Sequence, residues 1–154
     1  MMVLNYCMQG LETETIFASG MKMLAQGDSL SALGLFEKAV QIEDRPIYSS
    51  YYAFCIAKER GQFQLAVTLC QKAIAKEPHE PVHHLNLGKI FLIAGKKEDA
   101  IRTFREGLHQ EYHQQIVDEL NAIGTRKPPL FPFIKRSNPL NKYLGIILKR
   151  VGIR

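Results

Sequence analysis

The amino-acid sequence predicts an all-α fold of stacked helical hairpins, and three observations support this prediction. First, Gly27, Gly61 and Gly95 stand 34 residues apart. Second, the same classes of residue follow each glycine at the same distances: an alanine, then a large or polarisable residue, then a small one. These residues are Ala32, Phe36 and Ala39; Ala66, Cys70 and Ala73; and Ala100, Phe104 and Gly107. Third, each glycine separates two segments whose apolar residues recur every three or four positions, as in amphipathic helices. Such a period is typical of hairpins that bury their apolar faces against their neighbours.

The period divides most of the chain into three units of helix, turn and helix. We take the units as residues 13–46, 47–80 and 81–114. In the third unit, Pro81 suits the first turn of a helix, because a proline at that position sacrifices no hydrogen bond. Gly95 ends that helix, since glycine adopts the left-handed backbone conformation at little steric cost. Residues 1–12 show no clear period and are assigned only as an N-terminal extension.

The chain after the third unit departs from the repeat. Residues 115–124 are predicted to form one short extra helix. Residues 125–137 combine three prolines with four basic residues, so we interpret them as a basic, proline-rich linker. Residues 138–154 begin with Asn138 and Pro139, which suit a helix start, and carry one apolar stripe. We expect this amphipathic helix to cap the array, because helical repeats need closing segments.

The charge of the chain is uneven. The formal net charge is +5, and residues 115–154 contain eight basic residues and two acidic ones, so the basicity belongs to the tail. A basic amphipathic helix also suits an anionic membrane surface, and a peripheral membrane adaptor is therefore an alternative function. No nucleic-acid-binding motif accompanies the charge, so nucleic acid is not expected as a partner.

The composition excludes several classes of protein. No apolar run approaches the ~20 residues that a membrane span needs. The first basic residue is Lys22, which argues against a secretory signal and favours a cytoplasmic location. Cys7, Cys55 and Cys70 form no Cys-x-x-Cys motif, so we interpret them as packing thiols and not as a disulfide framework or a zinc site.

Catalytic and metal motifs are also missing from the sequence. It contains no glycine-rich phosphate loop, no cysteine–histidine motif and no serine elbow, which predicts a protein that is not an enzyme and needs no cofactor. His109 and His113 are four residues apart but have no obvious third ligand. We interpret them as solvated histidines at a helix end. The same interpretation applies to His79, His83 and His84, which are expected in a turn between helices.

The three units resemble the tetratricopeptide repeat family, which repeats every 34 residues as helix, turn and helix. The third unit matches the family pattern at Leu87, Gly88, Phe91, Gly95, Ala100, Phe104 and Gly107. The second unit departs from it at Phe54, where a small residue is usual, and Asp44 and Tyr112 replace the usual proline. The resemblance covers residues 13–114 and is greatest to small bacterial members with three repeats and a closing helix.

The resemblance implies a right-handed superhelix whose concave groove is lined by the first helix of each unit. Carried over position by position, it predicts a peptide-binding groove formed by Phe17, Met21, Tyr48, Tyr51, Tyr52, Cys55, Leu85, Asn86 and Lys89, with Glu14, Ala18 and Val82 in the wider lining. Tyr48, Tyr51 and Tyr52 lie within one helical turn, and exposed tyrosines concentrate at binding hot spots. The alternative is that Tyr51 and Tyr48 merely pack between hairpins.

One subgroup of the family grips a C-terminal carboxylate with a clamp of lysine, asparagine and arginine. The corresponding positions here hold Phe17, Met21, Tyr52, Val82 and Asn86. The clamp is therefore absent, and a chaperone tail is not expected as the ligand.

The function that follows from the resemblance is non-catalytic binding of a protein or an extended peptide in the groove. A self-assembling structural module, which forms a homo-oligomer through its groove or its array ends, is a further alternative. The sequence leaves open whether residues 125–137 cap the last hairpin or occupy the groove.

Overall fold

The computed structural model describes residues 2–124 and the side chains of residues 10–123. This part of the chain is entirely helical, without strands. Its helices are α1 (Met2–Ala25), α2 (Ser29–Ile42), α3 (Pro46–Arg60), α4 (Phe63–Lys76), α5 (Pro81–Ile93), α6 (Lys97–Gln110) and α7 (Gln114–Gly124). α1 pairs with α2, α3 with α4 and α5 with α6, which gives three hairpins. The predicted all-α array is thus confirmed, whereas the predicted linker 125–137 and capping helix 138–154 lie outside the described residues.

The first helix is longer than the sequence suggested. α1 begins at Met2 and runs for 24 residues without a break, so the N-terminal extension continues the first helix of the first hairpin. Its partner α2 has only 14 residues. Because helix propagation adds one hydrogen bond for each residue ordered, a packed helix can extend past its partner without a periodic apolar face. The N-terminal part of α1 was therefore not predicted as helix, because its apolar residues show no helical period.

The turns inside the hairpins depend on glycine. Gly27, Gly61 and Gly95 have φ angles of 85°, 64° and 75°, a region that other residues seldom adopt. After the first of these turns, the carboxylate of Asp28 accepts a hydrogen bond from the backbone N–H of Ser31 at 3.0 Å and caps α2. Hydrogen bonds from the side chain and the backbone of Ser31 lower the pKa of Asp28 from its ordinary value.

In the first and third hairpins, a phenylalanine ring lies directly on a glycine of the opposing helix. A Cβ atom added to Gly20 would lie 2.6 Å from the ring of Phe36, and one added to Gly88 would lie 2.2 Å from the ring of Phe104. Both rings are fully buried. The paired helices therefore approach each other closely at these two glycines.

The second hairpin reverses this arrangement. Phe54 occupies the position equivalent to Gly20 and Gly88, and Cys70 occupies the position of the two phenylalanines. Phe54 packs against the buried cluster that contains Cys70. The large side chain of the pair thus stands on the first helix in this hairpin and on the second helix in the other two.

Neighbouring hairpins are joined by aromatic and polar contacts. Rings of α1 and α3 lie 4.7 Å apart between the centroids of Phe17 and Tyr48. The side-chain amide of Asn86 on α5 donates a hydrogen bond of 3.0 Å to the hydroxyl of Ser50 on α3. Both polar side chains are buried. Because an unpaired buried amide costs free energy, this bond favours one register between the second and third hairpins.

We expect two glycine-to-alanine variants to have opposite effects on stability. Gly88→Ala should destabilise the chain by about 1–3 kcal/mol, because the new methyl group overlaps the enclosed ring of Phe104. Gly34→Ala should stabilise it by about 0.5–1 kcal/mol, because glycine is a poor helix residue. No atom lies within 4 Å of the Cβ position at Gly34.

Urea denaturation of both variants beside the wild type measures these changes. Gly34 is the matched control, since the substitution is the same and only the surroundings differ. A Gly88→Ala chain as stable as the wild type would contradict the packing described for Phe104.

The exchange between Phe54 and Cys70 predicts coupling between the two positions. Cys70→Phe alone should overpack the second hairpin, and Phe54→Gly alone should leave a cavity. The double variant restores the arrangement of the other hairpins, so it should lose less stability than the sum of the single variants, by about 0.5–3 kcal/mol. A double-mutant cycle in urea tests this, and strictly additive losses would be evidence against it.

Candidate functional site

The residues predicted to form the groove all lie on the first helices of the hairpins, α1, α3 and α5. α3 packs against α5. α1 reaches α3 through Phe17, whose ring centroid is 5.5 Å from that of Tyr51. The first helices are therefore neighbours, and we call their free sides the first-helix surface.

Four of the predicted groove residues are buried. The exposed fractions of Tyr48, Cys55, Leu85 and Asn86 are 1%, 0%, 1% and 2%. The expectation that these four offer surface to a ligand is not met. Their positions on the first helices are the ones against which the adjoining helices pack.

The tyrosine cluster is mainly a packing element. Tyr48, Tyr51, Phe17 and Phe36 form a group of rings in which the centroids of Phe17 and Phe36 are 5.4 Å apart and those of Phe36 and Tyr51 are 5.5 Å apart. Arg45 donates a hydrogen bond of 2.8 Å to the hydroxyl of Tyr48. Burial raises the pKa of Tyr51 above its ordinary value. For Tyr48 and Tyr51, the structure therefore agrees with the packing alternative.

The described thiols are poor nucleophiles. Cys55 and Cys70 are free and buried, in agreement with their interpretation as packing residues. Burial raises the pKa of each thiol to about 12, so the reactive thiolate is scarce at neutral pH. No cluster of potential ligands in residues 10–123 is suited to a metal ion.

Five predicted residues keep part of their surface open to solvent: Phe17, Met21, Tyr51, Tyr52 and Lys89. The Tyr52 hydroxyl donates a 2.9 Å hydrogen bond to the carboxylate of Glu37. The second oxygen of Glu37 lies 3.4 Å from Arg60. Burial and the Glu37 carboxylate raise the pKa of Tyr52. The polar end of Tyr52 is therefore engaged within the protein, and its half-exposed ring is the part left for a ligand.

Lys89 is held by two contacts. Its ammonium nitrogen lies 3.6 Å from the carboxylate of Glu119 on α7 and 5.8 Å from the centroid of the Phe54 ring. Sequence reasoning did not identify Glu37 or Glu119 as neighbours of the site. Each lies on another helix, and no local pattern in the sequence marks such a partner.

Two histidines correct the sequence interpretation. His83 and His84 were expected to be solvated in a turn, but their exposed fractions are 0% and 5%. α5 begins at Pro81, so both already lie inside the helix. A Cβ atom at Gly107 on α6 would lie 2.7 Å from Cβ of His84, so the imidazole packs closely against α6. Burial lowers the pKa of His84 from its ordinary value.

Comparison with known proteins shows sequence similarity to one helical repeat protein. No profile of a known protein family matches the chain. A putative pentatricopeptide repeat-containing protein of Arabidopsis thaliana is 30% identical over 80 residues, which are 49% of this chain and 19% of that protein. The match thus spans about a fifth of the relative's length.

Similarity to solved structures shows which fold the chain has. The first TPR domain of Spaghetti (RPAP3), solved bound to the HSP90 peptide SRMEEVD, is 19% identical with a TM-score of 0.58, over 72% of this chain and 91% of that one. The chain has the tetratricopeptide repeat fold. A mutant of the Thermobaculum terrenum O-GlcNAc transferase is 21% identical with a TM-score of 0.65, over 79% of this tetratricopeptide-type chain and 24% of the transferase. Within residues 2–124, no helix of this array is long and apolar enough to cross a membrane.

We expect acidification to destabilise the third hairpin of this tetratricopeptide-type array through His84. The pKa of His84 is lowered from 6.5, so between the lowered value and 6.5 the unfolded chain binds a proton that the folded chain does not. The stability that the neutral form of His84 contributes is therefore fully present above pH 6.5 and is lost as the pH falls below it. Attraction from Glu106 offsets part of this effect.

Urea denaturation at about pH 7.5 and about pH 5 measures the effect. The His84→Leu variant should lose less stability between the two pH values than the wild type does. His109→Leu serves as the control, because His109 is exposed. Equal losses in the wild type and in His84→Leu would show that His84 does not carry the pH dependence.

Proposed function

We propose that this chain is a non-catalytic adaptor whose first-helix surface binds an extended, largely apolar segment of another protein. One observation carries the proposal: Met21, Tyr51 and Tyr52 on the neighbouring helices α1 and α3 are only partly buried, so part of their apolar and aromatic surface stays open. Rigid aromatic surface of this kind is favoured at binding sites. The similar domain of Spaghetti (RPAP3), solved with a bound peptide, supports a binding role for this fold.

The charges of the surface favour an uncharged ligand segment. Lys89, the basic residue among the predicted groove positions, is already paired with Glu119. Glu37 is engaged by Tyr52 and Arg60. A strongly charged ligand would have to displace these partners, whereas an apolar segment gains affinity by covering the open rings.

A second candidate function is self-association through the first hairpin. Leu11 on α1 and Leu30 on α2 each have 67% of their surface exposed. Within residues 2–124, α1 and α2 form the first hairpin of the array, and exposed end faces of helical repeats promote association. A molecular mass that rises with protein concentration, and falls again in Leu30→Lys, distinguishes this candidate from the adaptor. The proposed membrane role rests on residues 138–154, outside the described residues, and remains a prediction, as does the cytoplasmic location.

Peptide selection on the full chain tests the adaptor proposal. Peptides from a random display library are selected on the wild type, and their affinities are compared with Tyr52→Ala and Tyr52→Phe. Tyr52→Ala should weaken binding by about tenfold or more, because the open ring is lost. Tyr52→Phe should bind nearly as well as the wild type, since the hydroxyl is already engaged by Glu37.

Two controls complete the experiment. Leu65→Ala removes an exposed apolar side chain of α4, outside the first-helix surface, and should leave the affinity unchanged. The acidic peptide SRMEEVD should not bind, because the clamp positions hold Phe17, Met21, Tyr52, Val82 and Asn86. If Tyr52→Ala folds normally and binds the selected peptides as tightly as the wild type does, this surface is not the site.

A further inference from the structure

A cavity lies between the first and second hairpins, away from the first-helix surface. Its volume is about 530 Å³, within the range of small-molecule sites. Its walls are largely apolar and include Val40 of α2, Leu69 and Ala73 of α4, and Pro46 at the start of α3. Lys72 and Lys76 also line it and are exposed, so the apolar walls adjoin a basic rim.

The repeat shows how this junction differs from the next one. Ser49, which lines the cavity, stands 34 residues before His83, so the two occupy equivalent positions in successive hairpins. At the next junction, the imidazole of His83 is fully buried and lies 3.1 Å from Glu77. At the first junction, the equivalent side chain is the smaller hydroxymethyl group of Ser49.

The rim of the cavity carries an uncompensated positive charge. Lys76 is paired with Asp44 at 2.7 Å. Lys72 has no ion pair with any residue of the described part of the chain. In the next hairpin, Glu106 replaces Lys72 and Gln110 replaces Lys76, so the basic rim is specific to the first junction.

We propose that this cavity binds an amphipathic anion, an acyl chain whose carboxylate lies at Lys72 and whose hydrocarbon lies between α2 and α4. Transfer of hydrocarbon from water to apolar walls stabilises the complex by about 0.8 kcal/mol for each buried methylene. The ammonium group of Lys72 orients the ligand, since charge-assisted hydrogen bonds to a carboxylate are stronger than neutral ones. Asp44 keeps Lys76 occupied, so one carboxylate balances the charge of the rim.

The proposed anion site is independent of the adaptor function. The cavity is formed by α2, α4 and the start of α3, whereas the first-helix surface belongs to the free sides of α1, α3 and α5. Loss of peptide binding in Tyr52→Ala therefore leaves the anion site intact, and the two proposals are tested separately.

Titration of the full chain with decanoate, followed by calorimetry at low ionic strength, tests the site. We expect saturable binding of one decanoate, with much weaker binding of decylammonium, which has the same chain and the opposite charge. Lys72→Glu should weaken decanoate binding by about tenfold. Lys38→Glu is the matched control, because Lys38 occupies the same repeat position on α2 and does not line the cavity.

Two further variants test the cavity itself. Ser49→His introduces the larger side chain that His83 has at the equivalent position of the next junction, and Ala75→Phe adds a ring at an exposed position that lines the cavity. Either variant, once circular dichroism shows a native helix content, should abolish decanoate binding. The proposal is overturned if the wild type binds no decanoate, if decylammonium binds equally well, or if Lys72→Glu and both filled variants bind decanoate as the wild type does.

Discussion

The close contact between the two helices of each hairpin is the constraint on which the rest of the structure depends. A phenylalanine ring can lie between paired helices only where the opposing residue has no side chain, as at Gly20 and Gly88. In the second hairpin the positions are exchanged: the large residue is Phe54 on the first helix, and the smaller one is Cys70 on the second. Each hairpin thus carries one large aromatic side chain at this pair of positions, and interiors of proteins are closely packed.

Stacking then decides which side chains remain available for binding. The rings of Phe17, Phe36, Tyr48 and Tyr51 join the first two hairpins. The same contacts bury most of the tyrosine cluster that had suggested a binding site. What remains open on the first-helix surface is a limited set of apolar and aromatic side chains whose charged neighbours are already paired. The junctions are unequal, since the first contains a cavity where the second contains His83.

Polar contacts fix the alignment of hairpins that hydrophobic packing alone would leave less defined. Asn86 and Ser50 pair in the buried space between the second and third hairpins, and Lys76 and Asp44 pair across the first junction. An exposed ion pair contributes little to stability, whereas a buried amide that loses its partner is costly. The Asn86 contact is therefore the more selective of the two, and it ties a predicted groove residue to the register of the array.

The sequence by itself determined the helical hairpins, their turns and their order, because these follow from the 34-residue period, the apolar spacing and the glycines at left-handed positions. It also located the first helices as the candidate binding surface through the family resemblance. It did not show that Tyr48, Cys55, Leu85 and Asn86 are buried, or that His83 and His84 lie inside a helix. Those outcomes depend on neighbours from other helices, such as Gly107 of α6 beside His84 and Ser50 of α3 beside Asn86. Only the tertiary structure decided them, because burial is a property of the contact between helices and not of any one segment.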